Sequence, residues 1–254
     1  MPDVSLNEIS LHYEVTGTGP PMLLLAGMMS DSASWAPLLP LLAPHFTLIR
    51  PDNRTTGRTT PHHYAEDGSA LMNHLGHTRC HIVGHSLGGL IALDLLNLAG
   101  ERAIDVTLLA TAPIRLRRNI ELFEALIRIR RSNAAEDLWL RTLFPWIFSV
   151  DLNDSPGAID QAVEGSLAYP YAQTVDAMDH QLSALSSVDV DAISGPYAAP
   201  VQAVLAEKDQ MIPLDRAQAA LAEVPTHIVP AAGHSVHWDA PQAVADLIVT
   251  FAKR

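Results

Sequence analysis

A serine with a glycine two residues away on either side is the feature that most constrains how this chain folds. Ser86 lies between Gly84 and Gly88, after the apolar run 80–83 and before the helix-forming stretch 90–96. A strand that turns sharply into a helix crowds the neighbours of the turning residue, so those neighbours must be nearly free of side chain. The pattern therefore predicts a strand, a tight turn at Ser86 and a helix.

A serine in this position is also a candidate nucleophile. The free N–H groups and the dipole at a helix N-terminus favour negative charge that develops beside it. Chance also produces glycines at this spacing, and the alternative is a glycine-rich turn ahead of a buried helix. The choice between the two depends on whether the rest of the chain supplies partners for Ser86.

Composition limits the class of protein. The chain has 254 residues with 48% hydrophobic and 17% charged residues, which suits one large α/β domain or two small ones. A net charge of -12 argues against nucleic acid as a partner. The single cysteine, Cys80, excludes an intrachain disulfide and favours a reducing, cytoplasmic location. Neither a signal peptide nor an apolar run of about 18 residues is evident, so we expect no membrane segment.

We also expect neither a metal nor a cofactor. The 12 histidines include no His-Glu-x-x-His pair, and no cysteine or histidine pairs have zinc spacing. The glycine-rich segments match neither Gly-x-Gly-x-x-Gly after a strand nor a phosphate-binding loop.

Apolar runs alternate with helical patterns along most of the chain. An alternating strand is predicted at 9–15, and buried strands are predicted at 22–27, 46–50, 80–83, 106–111, 201–205 and 226–230. Helices are predicted near 35–42, 65–75, 90–96, 214–221 and 240–252, and from about 113 to 195 only helical patterns occur, such as 120–129 and 172–185. This order predicts an α/β fold with a mostly parallel sheet, helices on both faces and a helical insertion over its carboxyl edge.

Two later loops supply candidate partners for Ser86. Asp209 follows the strand at 201–205, and His234 follows the strand at 226–230. A serine nucleophile needs a base, and the base needs an orienting acid, so serine, aspartate and histidine in this order at one sheet edge favour a catalytic triad. Glu207 is the competing acid and His237 the competing base. Alone, Asp209 would be read as a loop carboxylate or helix cap, and His234 as a turn histidine.

An oxyanion hole requires backbone N–H groups aimed at the developing charge. Leu87, directly after the serine, is one candidate donor. Met28, in the loop after the strand at 22–27, is the other.

These segments together resemble the α/β-hydrolase superfamily over nearly the full length. The matching stretches are Leu25-Ala26-Gly27-Met28, Asp52 to Thr59, Gly84 to Gly89, Glu207-Lys208-Asp209 and Gly233 to Pro241. The segment from Trp139 to Ser149 resembles the cap of the small capped enzymes of the enol-lactonase, esterase and perhydrolase type. Within these stretches, Ala26 replaces the family's usual histidine, and Thr55 and Ala206 replace usual glycines. A serine at position 86 excludes the haloalkane dehalogenases, whose nucleophile is an aspartate.

The resemblance implies an eight-stranded α/β-hydrolase fold with a helical cap after strand 6. Residues 1–113 and 196–254 would form the core, and residues 114–195 the cap. It also implies hydrolysis of a small carboxylic ester or lactone through an acyl-enzyme. C–C bond hydrolysis, a lyase reaction, thioester hydrolysis, perhydrolase or haloperoxidase chemistry and cofactor-free oxygenation on the same triad, or a ligand receptor with vestigial hydrolysis, remain alternatives.

The substrate pocket is less constrained. Candidate pocket residues are Met29, Trp35, Trp146, Met211 and Trp238, although ordinary core or cap packing is the better explanation of any one of them taken singly. Seven arginines cluster in the predicted cap, at positions 115, 117, 118, 128, 130, 131 and 141. They would either bind a substrate carboxylate or decorate a solvated helix face. A homo-oligomer is left open.

Overall fold

One eight-stranded sheet organises the chain in the computed structural model, which describes residues 3–57, 59–170 and 172–254. Its strands are β1 (Asp3–Leu6), β2 (Ile9–Thr16), β3 (Pro21–Leu25), β4 (Thr47–Pro51), β5 (Cys80–His85), β6 (Ala103–Leu109), β7 (Val201–Ala206) and β8 (Thr226–Val229). Their spatial order is β1-β2-β4-β3-β5-β6-β7-β8. β1 and β2 pair antiparallel and β2 runs antiparallel to β4, whereas β3 to β8 are parallel. The predicted mostly parallel, eight-stranded sheet is confirmed.

Eleven α-helices lie in the described part of the chain. They are α1 (Leu39–Leu42), α2 (Pro61–His74), α3 (Leu87–Ala99), α4 (Arg117–Arg131), α5 (Leu138–Ile147), α6 (Val150–Asp154), α7 (Ala158–Ala168), α8 (Val175–Ser186), α9 (Leu214–Ala220), α10 (Val236–Asp239) and α11 (Pro241–Ala252). Two 3-10 helices span Ser32–Leu38 and Gly100–Arg102. Among the described residues, no helix is long and apolar enough to cross a membrane.

The sheet is buried on both faces, as its continuous apolar strands predict. Along β3, Leu23 and Leu25 face a core formed with α2 and α3, whereas Met22 and Leu24 face a second core formed with α11. Successive side chains of a strand point to opposite faces, which divides the core into these two layers.

Two local predictions differ from the structure. The helix predicted over 35–42 is a 3-10 helix, Ser32–Leu38, followed by the single turn α1. Pro37 and Pro40 lack the N–H that a continuous α-helix would use, so the backbone changes helix type between them. β1 was not predicted, because only its pairing with β2 stabilises so short and exposed a strand.

A helical segment separates β6 from β7. Between residues 110 and 200, the described residues form α4 to α8 and no strand, and α4 packs on α5 and α8. The predicted cap boundaries at 114 and 195 fall in irregular stretches on either side of these helices.

The start of α3 lies against β3 at backbone distance. A Cβ at Gly88 would stand 2.0 Å from the carbonyl oxygen of Leu25, and one at Gly84 would stand 2.4 Å from the oxygen of Gly88. Both distances are far below van der Waals contact, and backbone cannot yield as a flexible side chain can. Glycine at these two positions is therefore what allows α3 to follow β5 without a gap.

We expect Gly88→Ala to lower the free energy of unfolding by about 3 kcal/mol or more, because the added methyl group separates α3 from β3. Gly165, inside α7, is the matched control, since a Cβ there meets no atom within 4 Å. Gly165→Ala should raise stability by about 0.5–1 kcal/mol through helix propensity. Urea denaturation measures both, and equal effects of the two substitutions would contradict this account.

Candidate active site

Ser86 occupies the turn between β5 and α3. Its backbone angles are φ 51 and ψ -119, a strained conformation for a residue with a side chain. The Ser86 N–H donates to the Leu109 carbonyl at 3.0 Å, and the Thr111 hydroxyl donates to the Ser86 carbonyl at 2.9 Å. The strand β6 and the residues after it thus hold the strained turn in place.

Asp209 and His234 form a buried hydrogen-bonded pair. His234 Nδ1 lies 2.9 Å from Asp209 Oδ2 and 3.1 Å from Oδ1. Oδ1 also accepts the backbone N–H groups of Met211 and Ile212, both at 2.8 Å, so the carboxylate is fixed from two directions. Because a carboxylate only accepts, Nδ1 carries the proton, and Nε2 of His234 is left as a base.

The parallel sheet brings the three predicted residues to one edge. Ser86 follows β5, Asp209 follows β7 and His234 follows β8, and these strands run in the same direction. Ligands of open α/β sheets bind at this carboxyl edge. Glu207 is directed elsewhere: its carboxylate accepts the Ala231 N–H at 2.9 Å and pairs with Lys208 at the surface.

Two further histidines surround His234. The ring of His85 lies 4.9 Å from that of His234 and 4.6 Å from that of His237, and His85 Nε2 donates to the His234 carbonyl at 3.0 Å. Burial, followed by the charges of His237 and His234, lowers the pKa of His85 well below its usual range. Burial, followed by the charge of His234, lowers the pKa of His237 to about 3. Both rings are therefore neutral near pH 7. The ring of His237 packs on Trp35 at 5.2 Å.

The loop after β3 passes close to His85 and Ser86, at the turn between β5 and α3. A Cβ at Gly27 would stand 2.9 Å from His85 Nδ1 and 3.3 Å from the Cβ of Ser86. Only glycine lets the backbone come this close. Met28 follows, which places its backbone next to Ser86.

The same loop is held from two sides. Asn53 Nδ2 donates to the Gly27 carbonyl at 3.1 Å, from the loop after β4. The Met29 N–H donates to Gln181 Oε1 at 2.9 Å, from α8. Met29 has a φ of 57, so its backbone also needs outside support.

A narrow, largely apolar cavity of about 30 Å³ adjoins Ser86. Met28, Leu87 and Ser86 form its floor, and α4 and α8 contribute Phe123 and Leu185. Such a chamber suits a small apolar group placed next to the serine.

Of the predicted pocket residues, Met211 lines this cavity. The other four are not among its described lining residues. Trp35 is wholly buried in the core beside His237, whereas Trp146 and Trp238 are each 36% exposed. Met29 belongs to the loop after β3, where Gln181 holds its N–H group.

The arginines of the helical segment are mostly engaged with its own acidic residues. These pairs are Arg117 with Glu121, Arg128 with Glu124, Arg131 with Asp176 and Asp179, and Arg141 with Asp137 and Asp160. Arg130 lies over the ring of Trp139, and Arg118 donates to the Gln210 carbonyl. Arg115 also lines the cavity, and its Nη1 donates to the Ser186 carbonyl at 2.7 Å.

Asp239 joins the loop of His234 to the helical segment. Its carboxylate accepts the Gly233 N–H at 2.8 Å and the Ser149 N–H at 3.1 Å, and the Ser235 N–H donates to the Ile147 carbonyl at 2.6 Å. Asp239 lies within the matching stretch Gly233 to Pro241, but the sequence predicted no role for it.

Asn53 and Gln181 were also missed by the sequence analysis. Gln181 left one usable signal: it is a polar residue on the face of α8 that carries Met178, Leu182 and Leu185. A polar residue inside an apolar stripe is a candidate for a specific contact.

Two carboxyl groups lie close to the loop that carries Met28. Asp31 caps the 3-10 helix by accepting the Ala33 N–H at 3.0 Å, and Asp52 accepts the Ser32 N–H at 2.7 Å. Burial, followed by the charge of Asp52, raises the pKa of Asp31 to about 7. Burial also raises the pKa of Asp52.

Known proteins match this chain both as a family and as individual relatives. The model of the alpha/beta hydrolase family matches residues 22–247. A protein named "Putative carbamate hydrolase RutD" from Azorhizobium caulinodans is 32% identical over 132 residues, which is 48% of this chain and 50% of that relative. The dihydrolipoyllysine-residue acetyltransferase component of the acetoin cleaving system of Pseudomonas putida is 26% identical over 258 residues, 95% of this chain and 66% of that relative. The chain thus spans less than two thirds of both relatives.

A solved structure extends the comparison over the whole fold. The enol-lactonase from Burkholderia xenovorans LB400 superposes with a TM-score of 0.85 and covers 100% of both chains. Its sequence identity to this chain is 20%, so the likeness concerns the fold.

The raised pKa of Asp31 predicts a pH-dependent stability. Between about pH 4 and pH 7 the folded protein keeps a proton that the unfolded chain has lost, so the free energy of unfolding falls as pH rises through this range. Asp31→Asn keeps the capping oxygen and removes the charge. Denaturation at pH 8 should find this variant more stable than the wild type, with a difference that shrinks towards pH 5. The exposed Asp191→Asn is the control, and a similar pH-dependent gain there would contradict the assignment.

Proposed function

Because the chain belongs to the alpha/beta hydrolase family, we propose that it hydrolyses a small carboxylic ester or lactone with Ser86 as the nucleophile. In this proposal His234 is the general base and Asp209 orients it. The observation that carries the proposal is the buried hydrogen bond between His234 Nδ1 and Asp209, at the sheet edge where the strained Ser86 turn lies.

The chemistry proceeds in two stages. His234 Nε2 accepts the Ser86 hydroxyl proton as Oγ attacks the carbonyl carbon, and the negative charge on the carbonyl oxygen is met by the N–H groups of Met28 and Leu87. The C–O bond to the alcohol then breaks, and His234 returns the proton to the departing oxygen. A water molecule, deprotonated by His234, then attacks the acyl carbon, the bond from that carbon to Ser86 Oγ breaks, and His234 returns the proton to Oγ as the acid leaves.

The surrounding histidines support this role for His234. His85 and His237 are neutral, so neither repels the positive charge that His234 gains when it takes the serine proton. Asp209 stabilises that charge and fixes the tautomer.

In this proposal the helical segment, residues 114–195, is the cap of the active site. Phe123 and Leu185 of this segment close one side of the cavity, while Ser86 and Leu87 of the core close the other. A narrow apolar chamber favours a small acyl group.

Carbamate hydrolysis is a second candidate, favoured by the match to the RutD protein. A carbamate carbonyl is attacked in the same way, but its nitrogen reduces the electrophilicity of the carbon. Comparing p-nitrophenyl acetate, small lactones and a small carbamate on one preparation tests which bond the chain prefers.

A fluorophosphonate probe should label Ser86, because it reacts with activated serines. Ser86→Ala should abolish both labelling and ester turnover. Ser235→Ala, which alters a buried serine next to His234, is the control and should retain labelling. Mass spectrometry of the labelled peptide identifies the site, and a folded wild-type protein without label at Ser86 would overturn the proposal.

Asp209→Asn should lower kcat by roughly 10⁴, since the amide favours the wrong tautomer of His234. Glu207→Gln is the matched control and should keep near-normal activity, because the Glu207 carboxylate contacts Ala231 and Lys208 at the surface. Steady-state kinetics on one ester measures both. The opposite ranking of the two variants would move the acid role to Glu207.

A further inference from the structure

The side chain of Gln181 leaves a buried hydrogen-bond donor beside the candidate active site. Gln181 is 0% exposed on α8, and its Oε1 accepts the Met29 N–H at 2.9 Å. Its Nε2 has no hydrogen-bond partner among the described residues. Burying a donor without a partner costs the loss of its hydration, so folded proteins rarely leave such groups unpaired.

The orientation of this carboxamide is fixed by its partner. A backbone N–H can only donate, so the oxygen of Gln181 must face Met29. The nitrogen is bonded to the same carbon and therefore lies beside the same loop. The contact that the oxygen makes therefore identifies the other end of the carboxamide, Nε2, as the free donor.

The position of the carboxamide is next to the reaction chamber. Met29 directly follows Met28, whose N–H is the proposed oxyanion donor, and Met28 lines the cavity. Leu185 lies one helical turn beyond Gln181 on α8 and also lines the cavity. Gln181 is thus bracketed by two lining residues.

Gln181 is not itself among the described lining residues of the chamber, and the polar residues that do line it use donors within the protein. Asn119 Nδ2 donates to the Met211 carbonyl at 2.9 Å, and the Thr111 hydroxyl donates to the Ser86 carbonyl at 2.9 Å. Arg115, at the exposed rim, donates through Nη1 to the Ser186 carbonyl. The buried Nε2 of Gln181 stands apart from these because it is uncommitted.

We propose that Gln181 is a specificity-determining residue that donates a hydrogen bond to a second oxygen of the substrate, near the carbonyl that Ser86 attacks. The preferred substrates are then small esters or lactones whose acyl part carries an ether or carbonyl oxygen, rather than plain alkyl esters. This inference rests on the function proposed above.

Two p-nitrophenyl esters of equal length test it. The butyrate and the methoxyacetate differ in one position, where a methylene group is replaced by an ether oxygen. The measured quantity is the ratio of kcat/KM for methoxyacetate to that for butyrate. The intrinsic reactivity of each ester cancels when this ratio is compared between variants, as does any change in the triad.

Two substitutions separate the functions of the carboxamide. Gln181→Met removes both the oxygen that holds Met29 and the free donor, and should lower the ratio about tenfold. It should also lower kcat for both esters, because the loop of Met28 loses a support. Gln181→Glu retains an oxygen for the Met29 N–H, so kcat for the butyrate should recover towards the wild-type value.

Gln173→Met is the control. Gln173 also holds the loop after β3 from the helical segment, through Nε2 to the Ser30 carbonyl. This variant loosens the same contact region without touching Gln181, so the ratio should stay at the wild-type value. A ratio that falls as far in Gln173→Met as in Gln181→Met would overturn the inference.

The remaining outcome separates this inference from the proposed function. An unchanged ratio in Gln181→Met, with turnover that Ser86→Ala abolishes, overturns the role of Gln181 alone. Turnover that survives Ser86→Ala overturns the proposed function as well.

Discussion

The backbone of Ser86 adopts a conformation that residues with side chains avoid, and the contact between α3 and β3 keeps it there. The N-terminal turn of α3 can follow β5 so abruptly because Gly88 lies on the Leu25 carbonyl and Gly84 lies under Gly88. The Thr111 hydroxyl, just after β6, adds a hydrogen bond to the Ser86 carbonyl. The strain is local, whereas its support comes from β3, β5 and β6, so the geometry of the Ser86 turn depends on the sheet as a whole.

The position of the loop after β3 depends on contacts with other parts of the chain. Gly27 approaches His85 and Ser86 closely, and two hydrogen bonds, one donated by Asn53 and one accepted by Gln181, hold the loop. A backbone N–H stabilises developing charge well only if it does not have to reorganise during the reaction. In the proposed function, the two side-chain amides would provide that fixed arrangement in advance.

The core strands were predictable because parallel strands buried on both faces need continuous apolar runs. The loops that carry Asp209 and His234 were predictable because they follow such strands in the family's chain order. The contacts of Asn53, Gln181 and Asp239 were not, since their partners lie 26, 152 and 90 residues away and leave no local pattern. Trp35 was predicted to line the pocket but lies in the core. Its size and apolarity indicate that it is buried, but they do not indicate on which side of the sheet.

The helical segment between β6 and β7 is joined to the core by side-chain contacts near the candidate active site. Gln181 meets the loop of Met28, and Asp239 meets the backbone of Ser149. An insertion of this kind is often regarded as an exchangeable module that sets specificity alone. Here an exchange by recombination would also remove a support of the oxyanion loop. Segment and core are therefore constrained to diverge together, and changes of substrate are more accessible through single residues lining the chamber than through replacement of the whole segment.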